Sequence, residues 1–110
     1  GNRGVKVVTT KSNIVNNKLE NGVINHVSAN EFVDLVNNIV QESMYGLYRE
    51  IINARYIEQN SVYETYCYIK EEFLKIPGYS DKYSERTFYR DKWKAEETFY
   101  RKINKKLMKF

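Results

Sequence analysis

The residues best equipped for chemistry in this chain are cationic and hydroxylic, and they lie close together: Tyr83, Ser84, Arg86, Thr87, Tyr89, Arg90, Lys92 and Lys94. Arg86 and Arg90 are four positions apart, so on a helix both guanidinium groups leave the same face. A guanidinium fork matches guanine O6 and N7, or a pair of phosphate oxygens. Thr87 can meet a thymine methyl or a phosphate, and Tyr89 can pack on a sugar or donate to a phosphate. Tyr83, Lys92 and Lys94 suit clamps on the nucleic-acid backbone. The ligand expected for this set is double-stranded DNA. The competing reading is a basic helix face that is simply solvated, and pattern alone leaves the two close to even.

Other chemistry is poorly provided for. His26 is the only histidine and Cys67 the only cysteine, so there is no internal disulfide and no metal-spaced cluster. Cys67 reads as a half-buried, reduced thiol. Glu71-Glu72 and Glu96-Glu97 are adjacent pairs, and neighbouring side chains on a helix point about 100° apart, unlike a catalytic dyad. We therefore expect no enzyme, no catalytic residues, no metal and no cofactor. No apolar run approaches the length of a membrane span, and no signal-peptide pattern is present, so the expectation is a cytoplasmic protein away from the membrane.

Charge is unevenly distributed. Residues 82–110 hold ten Lys or Arg against four acids, Glu85, Asp91, Glu96 and Glu97, a surplus of six positive charges. The rest of the chain holds eight bases and ten acids, and the whole carries +4. Positive charge kept at one end presents that end to a polyanion.

The elements that must position these residues are helical. Residues 1–16 form an N-terminal arm, in which Val5, Val7 and Val8 either make a short edge strand or pack loosely. From Asn17 the pattern is helical, with Leu19, Val23 and Val27 on one face. Phe32, Leu35, Val36, Ile39 and Val40 then follow i, i+3, i+4, i+7, i+8 spacing. The stripe changes face between Val27 and Phe32, so either Ser28 or Asn30 caps a new helix or one long helix runs through. Gly46 ends or bends this helix, and a second carries Leu47, Ile51 and Ala54 inward, with Tyr48, Ile52 and Tyr56 widening the stripe, until Gln59-Asn60. Ser61-Val62-Tyr63-Glu64 is a capping box opening a helix with Val62, Tyr66, Ile69, Phe73 and Leu74 on its apolar side. That helix must stop before Pro77. Ser84 caps the last helix, which nothing interrupts before about Met108. It carries one apolar stripe of Phe88, Ala95, Phe99 and Ile103 and a second of Tyr89, Trp93, Tyr100 and Leu107. Opposite them runs a mostly basic line of Arg86, Arg90, Lys94, Glu97, Arg101 and Lys105.

Fold class is therefore all-α: a small helical domain with a C-terminal helix-turn-helix and a long basic C-terminal helix. Residues 17–60 make its helical N-terminal part and residues 61–110 the DNA-binding part. A helix-turn-helix lays its second helix in the major groove with the N-terminal residues at the base edges, while the first braces it. The connection between Leu74 and Ser84 is longer than the three- to four-residue turn of the simple motif, and Tyr79 and Tyr83 are expected to anchor it by packing.

Arg55-Tyr56-Ile57-Glu58, and Tyr83-Ser84-Glu85-Arg86-Thr87-Phe88-Tyr89-Arg90-Asp91-Lys92 with Lys94-Ala95, resemble phage transcriptional regulators of the ArpU and RinA kind, whose layout is similar to region 4 of bacterial sigma factors. The resemblance covers roughly residues 47–103, and residues 5–45 more faintly. It implies sequence-specific binding at a phage or prophage promoter, control of late genes, and a bacterial host cytoplasm. It also implies that Ser84, Arg86, Thr87, Tyr89 and Arg90 lie on DNA-facing turns, with Phe88 turned inward. The longer loop of residues 75–83 departs from the family's short turn and affects the docking angle.

The rival reading is a helical interaction module that binds RNA polymerase or another phage protein without reading DNA. Ten tyrosines and one tryptophan are many for this length, and aromatic residues enrich interface cores. Tyr45, Tyr48, Tyr63, Tyr66 and Tyr68 are candidates for surface positions. A homodimer would suit a palindromic site, and the long apolar stripe of residues 17–45 is where self-association is expected.

Overall fold

The computed structural model describes residues 27–75 and 82–108, and every regular element among them is helical. The arm of residues 1–16, the Leu19/Val23 helix, His26, Pro77 and Tyr79 lie outside the described residues. Among the described residues four helices follow one another: α1 (Ala29–Asn38), α2 (Gly46–Ile52), α3 (Val62–Tyr68) and α4 (Glu85–Leu107). Each of the first three runs on into a wide π-helical turn, Ile39–Ser43, Asn53–Ile57 and Ile69–Phe73 respectively.

Side-chain caps set the starts of three helices. Ser28 has extended backbone and its hydroxyl accepts from the Glu31 amide, so a new helix opens at Ala29 rather than one long helix passing through. Ser61 and Glu64 form the full capping box. The Ser84 hydroxyl accepts from the Thr87 amide at 3.2 Å. Between α1 and α2, Met44 and Tyr45 are extended and Gly46 has φ +59°, a conformation that only glycine adopts without strain. The break thus falls just ahead of Gly46, which begins α2. After α2 the chain turns at Gln59, with φ +57°, and the Asn60 amide returns to the Ala54 carbonyl at 2.9 Å. This is the left-handed helix stop widened by one residue to suit the π turn.

One core joins residues on both sides of position 60. Phe32, Val36, Ile39 and Val40 of the first helical segment, Ile51, Ile52 and Tyr56 of the second, Ile69 of the third, and Phe88, Phe99, Ile103 and Leu107 of α4 are all buried in it. The part of the apolar stripe singled out for self-association that lies in α1 and its π turn is therefore used inside the chain. Phe73 corrects a second expectation, being exposed. Leu74, the next residue, packs against the core instead. Thr65 takes a buried position on α3, its hydroxyl donating to the Ser61 carbonyl at 2.8 Å.

Candidate nucleic-acid interface

Helix α4 is held at two places. Along its middle it packs on α2, the helix with which it shares most contact. Tyr56 stacks on Phe99 with ring centroids 5.6 Å apart, and its hydroxyl donates to Glu96 at 2.7 Å. The Tyr56 and Tyr100 hydroxyls are 2.6 Å apart. A carboxylate can only accept, so the Tyr56 proton goes to Glu96 and Tyr100 donates to the Tyr56 oxygen. Lys92 completes this buried network with a 2.9 Å ion pair to Glu96. Burial, first of all, and then the bonds to Tyr100 and Glu96, push the Tyr56 hydroxyl far above the ordinary tyrosine pKa. Burial likewise pushes Tyr100 up to about 12.

At its N-terminal end α4 is held by rings. Tyr66 of α3 lies between Tyr83 and Phe88, with centroids 6.3 and 5.6 Å away, and its hydroxyl donates to the Tyr83 carbonyl at 3.0 Å. Phe88 is fully buried. The capped helix α3 therefore braces the start of α4 through a single aromatic cluster, while α2 supports its length.

This packing sorts the eight residues singled out from the sequence. Tyr83 is only 4 % exposed and its hydroxyl donates to Asp91 at 3.0 Å, so it anchors the helix from inside and is not a backbone clamp. Lys92 is also withdrawn, its side chain 11 % exposed and its ammonium group paired with Glu96. Arg86, Arg90 and Lys94 are exposed on one side of α4, and Thr87 is half-buried there. Ser84 is exposed, with its hydroxyl occupied in capping. Tyr89 is 40 % exposed. Arg90 approaches Asp91 only at 3.9 Å and keeps most of its side chain in solvent.

The second apolar stripe of α4 divides. Tyr100 and Leu107 are buried, but Trp93 is 64 % exposed and lies beside Tyr89, ring centroids 6.3 Å apart. Arg86, Thr87, Tyr89, Arg90 and Trp93 line one open depression on the outward side. Trp93 is the residue of this site that sequence reasoning left on an apolar stripe and did not single out.

The electrostatics follow from the same sorting. Of the four acids in this basic segment, Asp91 and Glu96 are turned toward Tyr83, Tyr56 and Lys92. The exposed surface of α4 then offers Arg86, Arg90, Lys94, Arg101, Lys105 and Lys106 against Glu85 and Glu97. No described helix is long and apolar enough to cross a membrane. Set against known proteins, the chain matches no family model, no curated protein and no solved structure.

Proposed function

We propose that this chain is a sequence-specific DNA-binding transcriptional regulator that presents the outward face of α4 to double-stranded DNA. The observation that carries the reading is the sidedness of α4: six of its eight cations are exposed and two of its four acids turn inward. The local resemblance of residues 83–92 to the start of the recognition helix in phage regulators of the ArpU and RinA kind supports it, as does the inward position of Phe88. On this reading the regulator acts at a phage or prophage promoter in a bacterial cytoplasm and controls late genes. Arg86 and Arg90 read bases from the first turns, Thr87 and Tyr89 flank them, and Lys94 holds the phosphate backbone.

The test is a fluorescence titration against the DNA upstream of its own gene, in parallel with unrelated DNA. Arg86→Ala and Arg90→Ala each weaken specific binding by roughly 1–3 kcal/mol if their forks are bidentate to bases, and weaken nonspecific binding much less. Equal losses on both DNAs would restrict them to phosphate contacts, and no binding at low salt would end the proposal. The second reading, a protein-interaction module directed at RNA polymerase or another phage protein, is favoured by the exposed Tyr89 and Trp93, since Trp, Tyr and Arg dominate binding hot spots. It requires that the same substitutions weaken binding to that partner and leave DNA binding unchanged.

A further inference from the structure

We propose that Tyr89 and Trp93 form a stacking platform for an unstacked base, so that the DNA engaged by α4 is a locally opened or kinked duplex rather than a uniform one. This inference rests on the DNA reading above and names the form of DNA that the site takes.

The two rings are the large apolar groups that α4 leaves exposed along its basic face, 40 % and 64 % exposed, and they stand next to each other at an interplanar angle of 47°. Arg86 and Arg90 line the same depression. A paired and stacked duplex offers a helix its base edges, which carry hydrogen-bonding groups and thymine methyls. Side chains that read edges are short or forked. An indole and a phenol present extended π-faces, and their natural complement is the face of a base, which becomes accessible only where stacking is interrupted. Guanidinium groups beside the rings can hold the phosphates on either side of such a base and can lie over its face themselves. The combination of a basic track with exposed aromatic rings is the composition by which proteins hold unpaired strands. Tyr100 and Leu107, from the same stripe, show that these rings are not left out for lack of apolar character: where α4 has neighbours, the stripe is buried.

Trp93 is the only tryptophan of the chain, so its emission reports on this surface directly. The full chain is titrated with a paired duplex and with the same duplex carrying a short central mismatch bubble. The expected result is quenching of Trp93 emission by the bubble duplex and an affinity about tenfold higher than for the paired one. Trp93→Ala brings the ratio of the two affinities close to one, and Trp93→Phe restores part of it. Trp93 is largely exposed, so the variants are expected to fold, which their helical circular dichroism checks. Equal affinity for the two duplexes with unchanged emission overturns the stacking proposal and leaves the DNA reading standing. Absence of binding to either duplex at low salt overturns both, and a response of Trp93 to poly-glutamate peptide in that case assigns the surface to an acidic protein partner.

Discussion

Ser61 and Glu64 exchange two hydrogen bonds at the start of α3, the Glu64 amide donating to the Ser61 hydroxyl at 3.0 Å and the Ser61 amide to the Glu64 carboxylate at 2.8 Å. The bond from the Ser61 amide, and then one from its hydroxyl, hold the Glu64 carboxyl below its ordinary pKa. A lowered folded-state value means stability that is present above the unfolded pKa and lost as pH falls through the folded one. Ser61→Ala is expected to cost about 1 kcal/mol in a denaturant titration at neutral pH. Glu64→Gln, which keeps the box, should flatten the acid limb of the stability profile. The tyrosine network works at the other end of the scale. Tyr100 rises from 10.0 to about 12 on folding, and Tyr56 rises further. A raised value means stability that is present below the unfolded pKa and lost as pH climbs toward the folded one. Stability should therefore hold to about pH 10 and decline from there, and Tyr56→Phe should cost roughly 1–3 kcal/mol by leaving the Tyr100 hydroxyl without its acceptor. The caps at Ser61 and Ser84 were legible in the sequence because a capping box and an N-cap are local: their partners lie within three residues. The Tyr56–Glu96 bond was not, because its partners are 40 residues apart.

At the scale of elements, three of the four described helices end in a π turn, and at the end of the third sequence periodicity misplaced a residue. A 3.6-residue period puts Phe73 on the same face as Ile69, but Phe73 is 40 % exposed while Ile69 is fully buried. Ile69→Ala should cost roughly 2–5 kcal/mol by opening a cavity. Phe73→Ser should cost less than Ile69→Ala, since part of the Phe73 ring is already in solvent. Thermal denaturation of the pair checks this, and equal losses would place Phe73 in the core beside Ile69. The existence and order of the helices were readable because each has an apolar stripe and a chemical start or stop signal. The π turns were not, since nothing in Ile69-Lys70-Glu71-Glu72-Phe73 distinguishes an i+4 from an i+5 hydrogen bond.

For the whole molecule the governing feature is a helix of about 34 Å that is packed along one side and basic along the other. Arg101 and Lys105 continue the line of Arg86, Arg90 and Lys94 toward its far end. If that line follows a phosphate backbone, each contact releases counterions, and the logarithm of affinity falls with the logarithm of salt concentration by about 0.9 per phosphate neutralised. Replacing both Arg101 and Lys105 by Ala should then lower the salt slope by about 2 and weaken binding evenly on all DNA sequences. Anisotropy titrations across a salt series measure this, and an unchanged slope would restrict contact to the first turns of α4.

By itself the sequence determined the all-α class, the helix starts at Ser61 and Ser84, the inward positions of Phe88, Ala95, Phe99 and Ile103, and the concentration of positive charge in the last 29 residues. These follow from local capping chemistry, from helical periodicity and from counting charges, none of which depends on what a distant segment does. Only the tertiary structure decided the fate of Tyr83, Lys92, Tyr89 and Trp93. Periodicity says which side of a helix a residue lies on, but not along how much of its length a neighbouring helix covers that side. Where α2 and the end of α1 meet α4, Tyr100 and Leu107 are buried. Toward the start of α4, the same stripe leaves Trp93 and Tyr89 in water beside Arg86 and Arg90.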